Sequence, residues 1–236
     1  MLARLQRFIT LALLAVACGW WFYFRVHAPQ FAIAGFFAIV LGYTGFLALE
    51  FMLLRVVNRG DPSPRATAAE LFSAWLGETL VAPRVFCWRQ PFRPNEVPDA
   101  LSPVNVVHGR RGVVFIHGFF CNRAFWTPWL KRLRSSGHAF VAVSLEPVFA
   151  SIDDYVPQIE AAVTQVTEAT GMPPLLVCHS MGGAGGQGVA QGHAIRSPRA
   201  PGGDHRNATQ RHLARPLWPW HQWPADASAV RLAGTA

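Results

Sequence analysis

One serine in this chain stands where a nucleophile could work. Ser180 lies in the run Cys178-His179-Ser180-Met181-Gly182-Gly183, directly after the apolar stretch Pro174 to Cys178. A serine hydroxyl attacks a carbonyl only when it is exposed and held beside a base. A sharp strand-to-helix turn with a strained backbone achieves that exposure. Such a turn needs small residues two before and two after the serine, so that the helix can pass close to the strand. Gly182 and Gly183 serve on one side. On the other stands Cys178, a small side chain of a type often buried. A glycine-rich loop with an incidental serine is the plain alternative, and the apolar run before it argues against that. A second constellation, His117-Gly118-Phe119-Phe120, follows the apolar run Gly112 to Ile116 some 60 residues before Ser180.

The first motif resembles the nucleophile elbow, Gly-x-Ser-x-Gly, of the α/β-hydrolase superfamily, with Cys178 in place of the first glycine. The second is similar to the His-Gly turn of its lipase-like members, including bacterial lipases and esterases. The resemblance covers Val106 to Gly183, the N-terminal half of that fold. It implies Ser180 as nucleophile and the backbone amides of Phe119 and Met181 as the oxyanion hole, a pair worth several kcal/mol of barrier. It implies supporting roles for His117, Gly118, Cys178, His179, Gly182 and Gly183, and no cofactor or metal. His179 is not expected to be the base, since its side chain should point away from the site. Phe119, Phe120, Phe125 and Trp126 either line an acyl pocket or pack the sheet edge.

The elements that must position these groups follow from periodicity. Gly112–Ile116, Ala139–Leu145 and Pro174–Cys178 are short β-rich runs. Between them Arg123–Ser135, stopped by Gly137, and a segment from Ser151 or Asp153 to Thr170 have helical character. Asp153 and Asp154 belong to the start of that helix. Strands alternating with helices predict a parallel sheet covered on both faces, an α/β fold. Ahead of it, residues 58–105 form a linker. Within the linker, Thr67 to Leu80 is an amphipathic helix opened by a capping box of Thr67 and Glu70, which lies on the membrane or covers the domain. Arg84 to Asn105 is proline-rich and reads as irregular.

Residues 1–57 are of a different kind. Phe8 to Phe24 is uncharged and apolar over 17 residues, and Phe31 to Leu54 over 24 with only Glu50 charged. A spanning helix needs roughly 17–25 such residues, so two transmembrane helices, 8–24 and 31–54, are expected. Ala15-Val16-Ala17 before Cys18 offers a signal-peptide reading, against which the apolar run continues through Trp20, Trp21, Phe22 and Phe24. Arg4 and Arg7 before the first span and Arg55, Arg59 and Arg65 after the second place both ends in the cytoplasm by the positive-inside rule. That predicts a two-span protein of a bacterial-type inner membrane with its hydrolase domain cytoplasmic. Glu50 lies near a helix end, where its carboxylate reaches the interface. The net charge of +8 is spread along the chain rather than gathered in a patch, which excludes nucleic acid as a partner. Four cysteines (Cys18, Cys87, Cys121, Cys178) show neither metal nor disulfide spacing.

The pattern stops after Gly183. Residues 184–236 hold only six Ile, Leu, Val, Met or Phe among 53, and no Phe, Tyr, Lys or Glu. Such a stretch cannot build further strands and is expected to be a disordered, low-complexity tail. The family order is Ser, then Asp or Glu, then His, so the acid and base should lie here, and they stay unidentified. His193, His205, His212 and His221 fit no metal motif, and Asp204-His205 is too local a pair to be preorganised. Read one base later, the codons permitted for Gly203–Trp223 allow an apolar strand followed by Gly-Thr-Pro-His-Ser-Gly, which is similar to a segment of lipase-like relatives. We therefore read residues 184–236 as translated out of frame. The expected function is that of a membrane-anchored serine hydrolase of esterase or lipase type, acting on a small ester or lipid beside the bilayer and inactive as written for want of its acid and base. The alternatives are a non-catalytic membrane-anchored remnant and a hydrolase of another acyl substrate, amide or thioester. Three strands alone would also leave a sheet edge uncovered.

Overall fold

The computed structural model describes residues 1–58, 65–102 and 109–196. Parts of the linker, the first residues of the hydrolase segment from Val106, and the tail from residue 197 with His205, His212 and His221 lie outside the described residues.

Two long helices form an N-terminal hairpin, α1 (Leu2–Phe24) and α2 (Pro29–Val57). Both are long and apolar enough to cross a membrane by length and composition, and few of their residues are buried. Each extends past the apolar run that predicted it. The helices meet near the turn. Trp20 Nε1 donates to the Phe31 carbonyl at 2.8 Å, and Gly35 makes room for that indole, since a Cβ there would stand 1.9 Å from Nε1.

Helix α3 (Ala68–Ala82) opens with the expected capping box: the Glu70 amide donates to Thr67 Oγ1 and the Thr67 amide to Glu70 Oε2. Its partner is the hairpin. Trp75 Nε1 donates to the Thr44 carbonyl at 2.9 Å, and the Tyr43 hydroxyl to the Thr79 carbonyl at 2.7 Å. The segment after it departs from the sequence reading. Where the sequence reads as irregular from Arg84, a π-helical turn (Pro83–Arg89) and α4 (Gln90–Phe92) continue the helical path, and the irregular course begins only at Arg93. Pro83 and Pro91 each withhold the N–H that a continuous helix would use, and the π-helical turn lies between them.

The sheet has three parallel strands in the order β2-β1-β3: β1 (Val113–Ile116), β2 (Phe140–Ala142) and β3 (Leu175–Cys178). Val113 pairs with both Phe140 and Leu175. A 3₁₀ turn (Arg123–Trp126) and α5 (Thr127–Ser135) lead from β1 to β2, and α6 (Ile152–Thr170) leads from β2 across β1 to β3. The direction of strand addition reverses at β1. That is a doubly wound pattern, which places helices on opposite faces. The side chains of β1 divide accordingly: Val114 and Ile116 pack with Tyr155, Ile159 and Val166 of α6, while Val113 and Phe115 pack with Trp126, Leu130 and Phe140. β1 is apolar at every position because both its faces are covered. Ser151 rather than Asp153 caps α6, Asp154 closes a capping box with it, and Gly171 ends the helix at φ 72°.

Helix α7 (Met181–Arg196) follows β3 directly. It carries helical structure 13 residues past Gly183, beyond the boundary the sequence reading gave to the domain. Its small residues permit that path: Gly182, Gly185 and Gly186 each lie where a Cβ would crowd a neighbour in β1, α6 or β3.

Candidate active site

Ser180 is exposed at the junction of β3 and α7, with φ +51°. A left-handed conformation in a residue with a Cβ costs roughly 1–3 kcal/mol and persists only where its surroundings enforce it. They do so through the backbone. The His179 amide donates to the Ile116 carbonyl at 3.0 Å, locking the turn onto β1, and the amides of Gly182 and Gly183 donate back to the carbonyls of His179 and Ser180.

The glycines around the turn are not equivalent. A Cβ on Gly182 would lie 2.6 Å from the His117 carbonyl oxygen and 2.7 Å from that of Ile116, so no side chain fits. Gly183, by contrast, faces open space. Gly118 also touches the turn, with its missing Cβ 2.9 Å from His179 Nδ1 and 3.0 Å from Ser180 Cβ. The odd residue of the motif, Cys178, is accommodated by a glycine the motif does not contain: a Cβ on Gly186 would be 2.7 Å from Cys178 Sγ. Desolvation of its sulfur raises the Cys178 thiol above its ordinary range.

The other side of the site is the loop His117 to Asn122. His117 is buried, and its Nε2 accepts from the Leu145 amide at 3.0 Å while Nδ1 lies 2.9 Å from the Gly118 carbonyl. An amide can only donate, so Nε2 carries the lone pair and Nδ1 the proton. Burial, the largest cause, holds this imidazole below its ordinary range, against the opposing pull of the Gly118 hydrogen bond. His117 thus ties the loop after β1 to the loop after β2 as a neutral strut. The Cys121 amide closes a turn onto the Gly118 carbonyl at 3.3 Å, with Phe120 at φ +56° inside it. Asn122 ends the loop: its amide donates to Gln90 Oε1 at 2.7 Å, its Nδ2 to the Gln90 carbonyl, and its Oδ1 caps the following 3₁₀ turn. Among the described residues, the amides of Phe119 and Met181 donate to no acceptor.

The four aromatic candidates separate into two pairs. Trp126 is buried with its ring 5.0 Å from that of Phe115, and Phe125 meets it edge-on at 5.1 Å. Phe125 also stacks on the His179 ring at 4.8 Å. Phe119 is exposed and faces Phe120 and Phe149 at 6.3 and 5.8 Å. Phe149, Gln90 and Gly186 escaped the sequence reading, because each meets the site only through a tertiary contact.

No hydrogen bond among the described residues joins the Ser180 hydroxyl to a histidine or carboxylate, and none of their His, Cys, Asp and Glu form a group able to hold a metal. A cleft that does hold an acid and a histidine, Asp99 and His138, lies along β2, on the far side of β1 from Ser180. Its Asp99 is engaged by the Ala142 amide and Arg123.

A model of the alpha/beta hydrolase family matches residues 113–234 of the chain, which takes in β1, the loop at His117, Ser180 and residues beyond α7. No curated protein and no solved structure matches it.

Proposed function

Given that the chain belongs to the alpha/beta hydrolase family, we propose that it is a serine hydrolase of esterase or lipase type, with Ser180 as nucleophile and the helices α1 and α2 as its membrane anchor. The observation that carries this reading is the left-handed Ser180 at the end of a parallel strand, clamped by glycines with no room for a side chain. That is costly geometry, and an exposed hydroxyl is what it achieves.

In the proposed reaction, Ser180 Oγ attacks the carbonyl carbon of a carboxylic ester. The developing oxyanion is held by the amides of Phe119 and Met181, the alcohol leaves with the proton taken from Ser180, and water releases the acid from the acyl-enzyme. The exposed Phe119 and Phe149 rings offer an apolar wall to an acyl chain. The proton acceptor is a histidine oriented by a carboxylate, and the described residues bring neither to Ser180. In the chain as written we therefore expect little or no turnover. That no described residue bonds Ser180 as a base favours the second reading, an anchored α/β-hydrolase remnant without catalysis.

Intact mass after incubation with an alkyl fluorophosphonate separates the two readings. One adduct, absent from Ser180→Ala, supports the hydrolase. No adduct under conditions that label a control esterase sinks it for this chain. Resequencing the codons for Gly182 to Gly186 addresses the cause. A missing or extra base there would replace the chain from within α7 onward by a longer domain, and an intact frame would favour the anchored remnant.

A further inference from the structure

We infer that Gln6, on the first turns of the anchor helix α1, is a positioning residue for the loop that presents the Phe119 amide. The inference rests on the hydrolase reading for the role of that loop, and on geometry alone for the contact. Gln6 is 3% exposed, and its Nε2 donates to the Phe120 carbonyl at 3.0 Å, across 114 residues of sequence. Phe120 is the strained residue of the loop, at φ +56°. A positive φ at the third position of a tight turn favours glycine or asparagine. A phenylalanine keeps it only under outside restraint, and Gln6 binds the carbonyl of that residue.

The rest of the contact is built to the same end. Arg7, the next residue, donates to the Pro91 carbonyl at 2.9 Å and fixes α1 against α4. From α4, the fully buried Gln90 grips Asn122 at the far end of the loop. The loop is therefore held at its strained middle by α1 and at its end by α4. The terminal amino group of Met1 adds a contact to Glu146, in the loop that His117 also engages.

Gln6 is a poor choice for packing. Its Oε1 is buried with no partner among the described residues, and a nearby helix position occupied by leucine would bury no orphan polar atom. Two residues further along α1, about 3 Å of helix rise, the apolar run begins at Phe8. A shift of the anchor would thus be felt directly at the loop.

The test uses the full chain in detergent micelles, as Gln6→Leu and Gln6→Glu, which both remove the N–H donor, with Arg7→Met as a control that leaves that donor in place. Hydrogen exchange is followed on the peptides covering 117–122 and 113–116. We expect both Gln6 variants to raise exchange at Cys121 and Asn122 at least tenfold, with 113–116 unchanged and no fall in the thermal midpoint for Gln6→Leu. Arg7→Met should raise loop exchange less than either. Loop exchange within twofold of wild type in both variants overturns the inference. So does a fall in midpoint with exchange rising equally over 113–116, which would make Gln6 a packing residue. Where wild type reacts with fluorophosphonate, Gln6→Leu should slow the bond-forming step and leave probe affinity unchanged. Where it does not react, the hydrolase reading fails and the exchange result still decides the contact.

Discussion

The two flanks of β1 differ sharply. On one side β2 is buried along its whole length, and its outer edge is closed: the amide and carbonyl of Phe140 exchange hydrogen bonds with Ala100, and the Ala142 amide donates to Asp99 Oδ1. On the other side β3 is buried nowhere along its length, Leu175 is 51% exposed, and no described strand lies beyond it. Both strands carry the same kind of sequence and pair with the same partner in parallel. What separates them is the chain that covers the next edge. Fully burying a leucine contributes about 1.5–3 kcal/mol, and β3 forfeits much of that at Leu175. The candidate nucleophile sits on the open flank, the side on which further strands of an α/β-hydrolase would bring an acid and a base.

The largest effect that would sharpen this contrast is at the elbow, where the open flank is nevertheless tightly packed. Gly182→Ala puts a Cβ against two carbonyl oxygens of β1 and its exit and should cost about 3 kcal/mol, the upper range for overpacking. Gly183→Ala, one residue on, meets open space inside a helix and should be neutral or stabilise by up to about 1 kcal/mol. Urea unfolding followed by tryptophan fluorescence measures both. Equal costs at the two positions would show that α7 does not pack on β1 as described.

On the closed flank, Asp99→Ala removes the acceptor for the Ala142 amide and the partner of Arg123, whose side chain is largely buried. A hydrogen bond to a charged group contributes about 1.5–3 kcal/mol, reduced here because Asp99 is itself partly exposed. We expect about 1–2 kcal/mol in the same unfolding assay. A loss under about 0.5 kcal/mol, the range of an ordinary surface change, would mean that the edge of β2 is closed by Ala100 alone.

Much of this asymmetry was open to a sequence reading, and the reasons it was not wholly so are physical. The buried strands announce themselves as apolar runs, and the caps at Thr67 and Ser151 as a serine or threonine with an acid three residues on, because those signals are local. Pro83 and Pro91 misled it: a proline in a helix interior can end the helix or be absorbed beside a π-helical turn, and sequence does not say which applies. Gly186 and Gln6 were invisible for another reason. One accommodates Cys178 across a strand–helix contact and the other reaches Phe120 from 114 residues away, so neither pairing exists until the tertiary structure does.

His117 ties the exit of β1 to the closed flank, and its titration gives the third prediction. Its folded pKa lies below the ordinary 6.5 because the buried ring loses more than it gains on charging. The unfolded chain therefore binds the proton first as pH falls. Stability from this group is complete above about pH 6.5 and is lost as pH drops from there toward the folded value. The thermal midpoint should decline over that window, and His117→Gln should flatten the decline without removing it, since burial also holds His138 low. A variant with the wild-type slope would show that His117 is not the neutral strut between Gly118 and Leu145.

The smallest expected effect tests the open flank itself. Leu175→Thr keeps a strand-forming residue and trades an exposed leucine for a polar one. If β3 is an uncovered edge, the fold loses no more than about 0.5 kcal/mol, as for a surface change. Such an edge is also a template for pairing with another chain, so the variant should shift detergent-solubilised protein toward smaller species on size-exclusion chromatography. The same change at Phe140 of the closed flank would remove a fully buried ring and cost about 3–5 kcal/mol. A cost at Leu175 approaching that of Phe140 would mean that chain from beyond α7 covers β3. The open flank would then be complete, and residues 197–236 would be the place to look for the acid and the base.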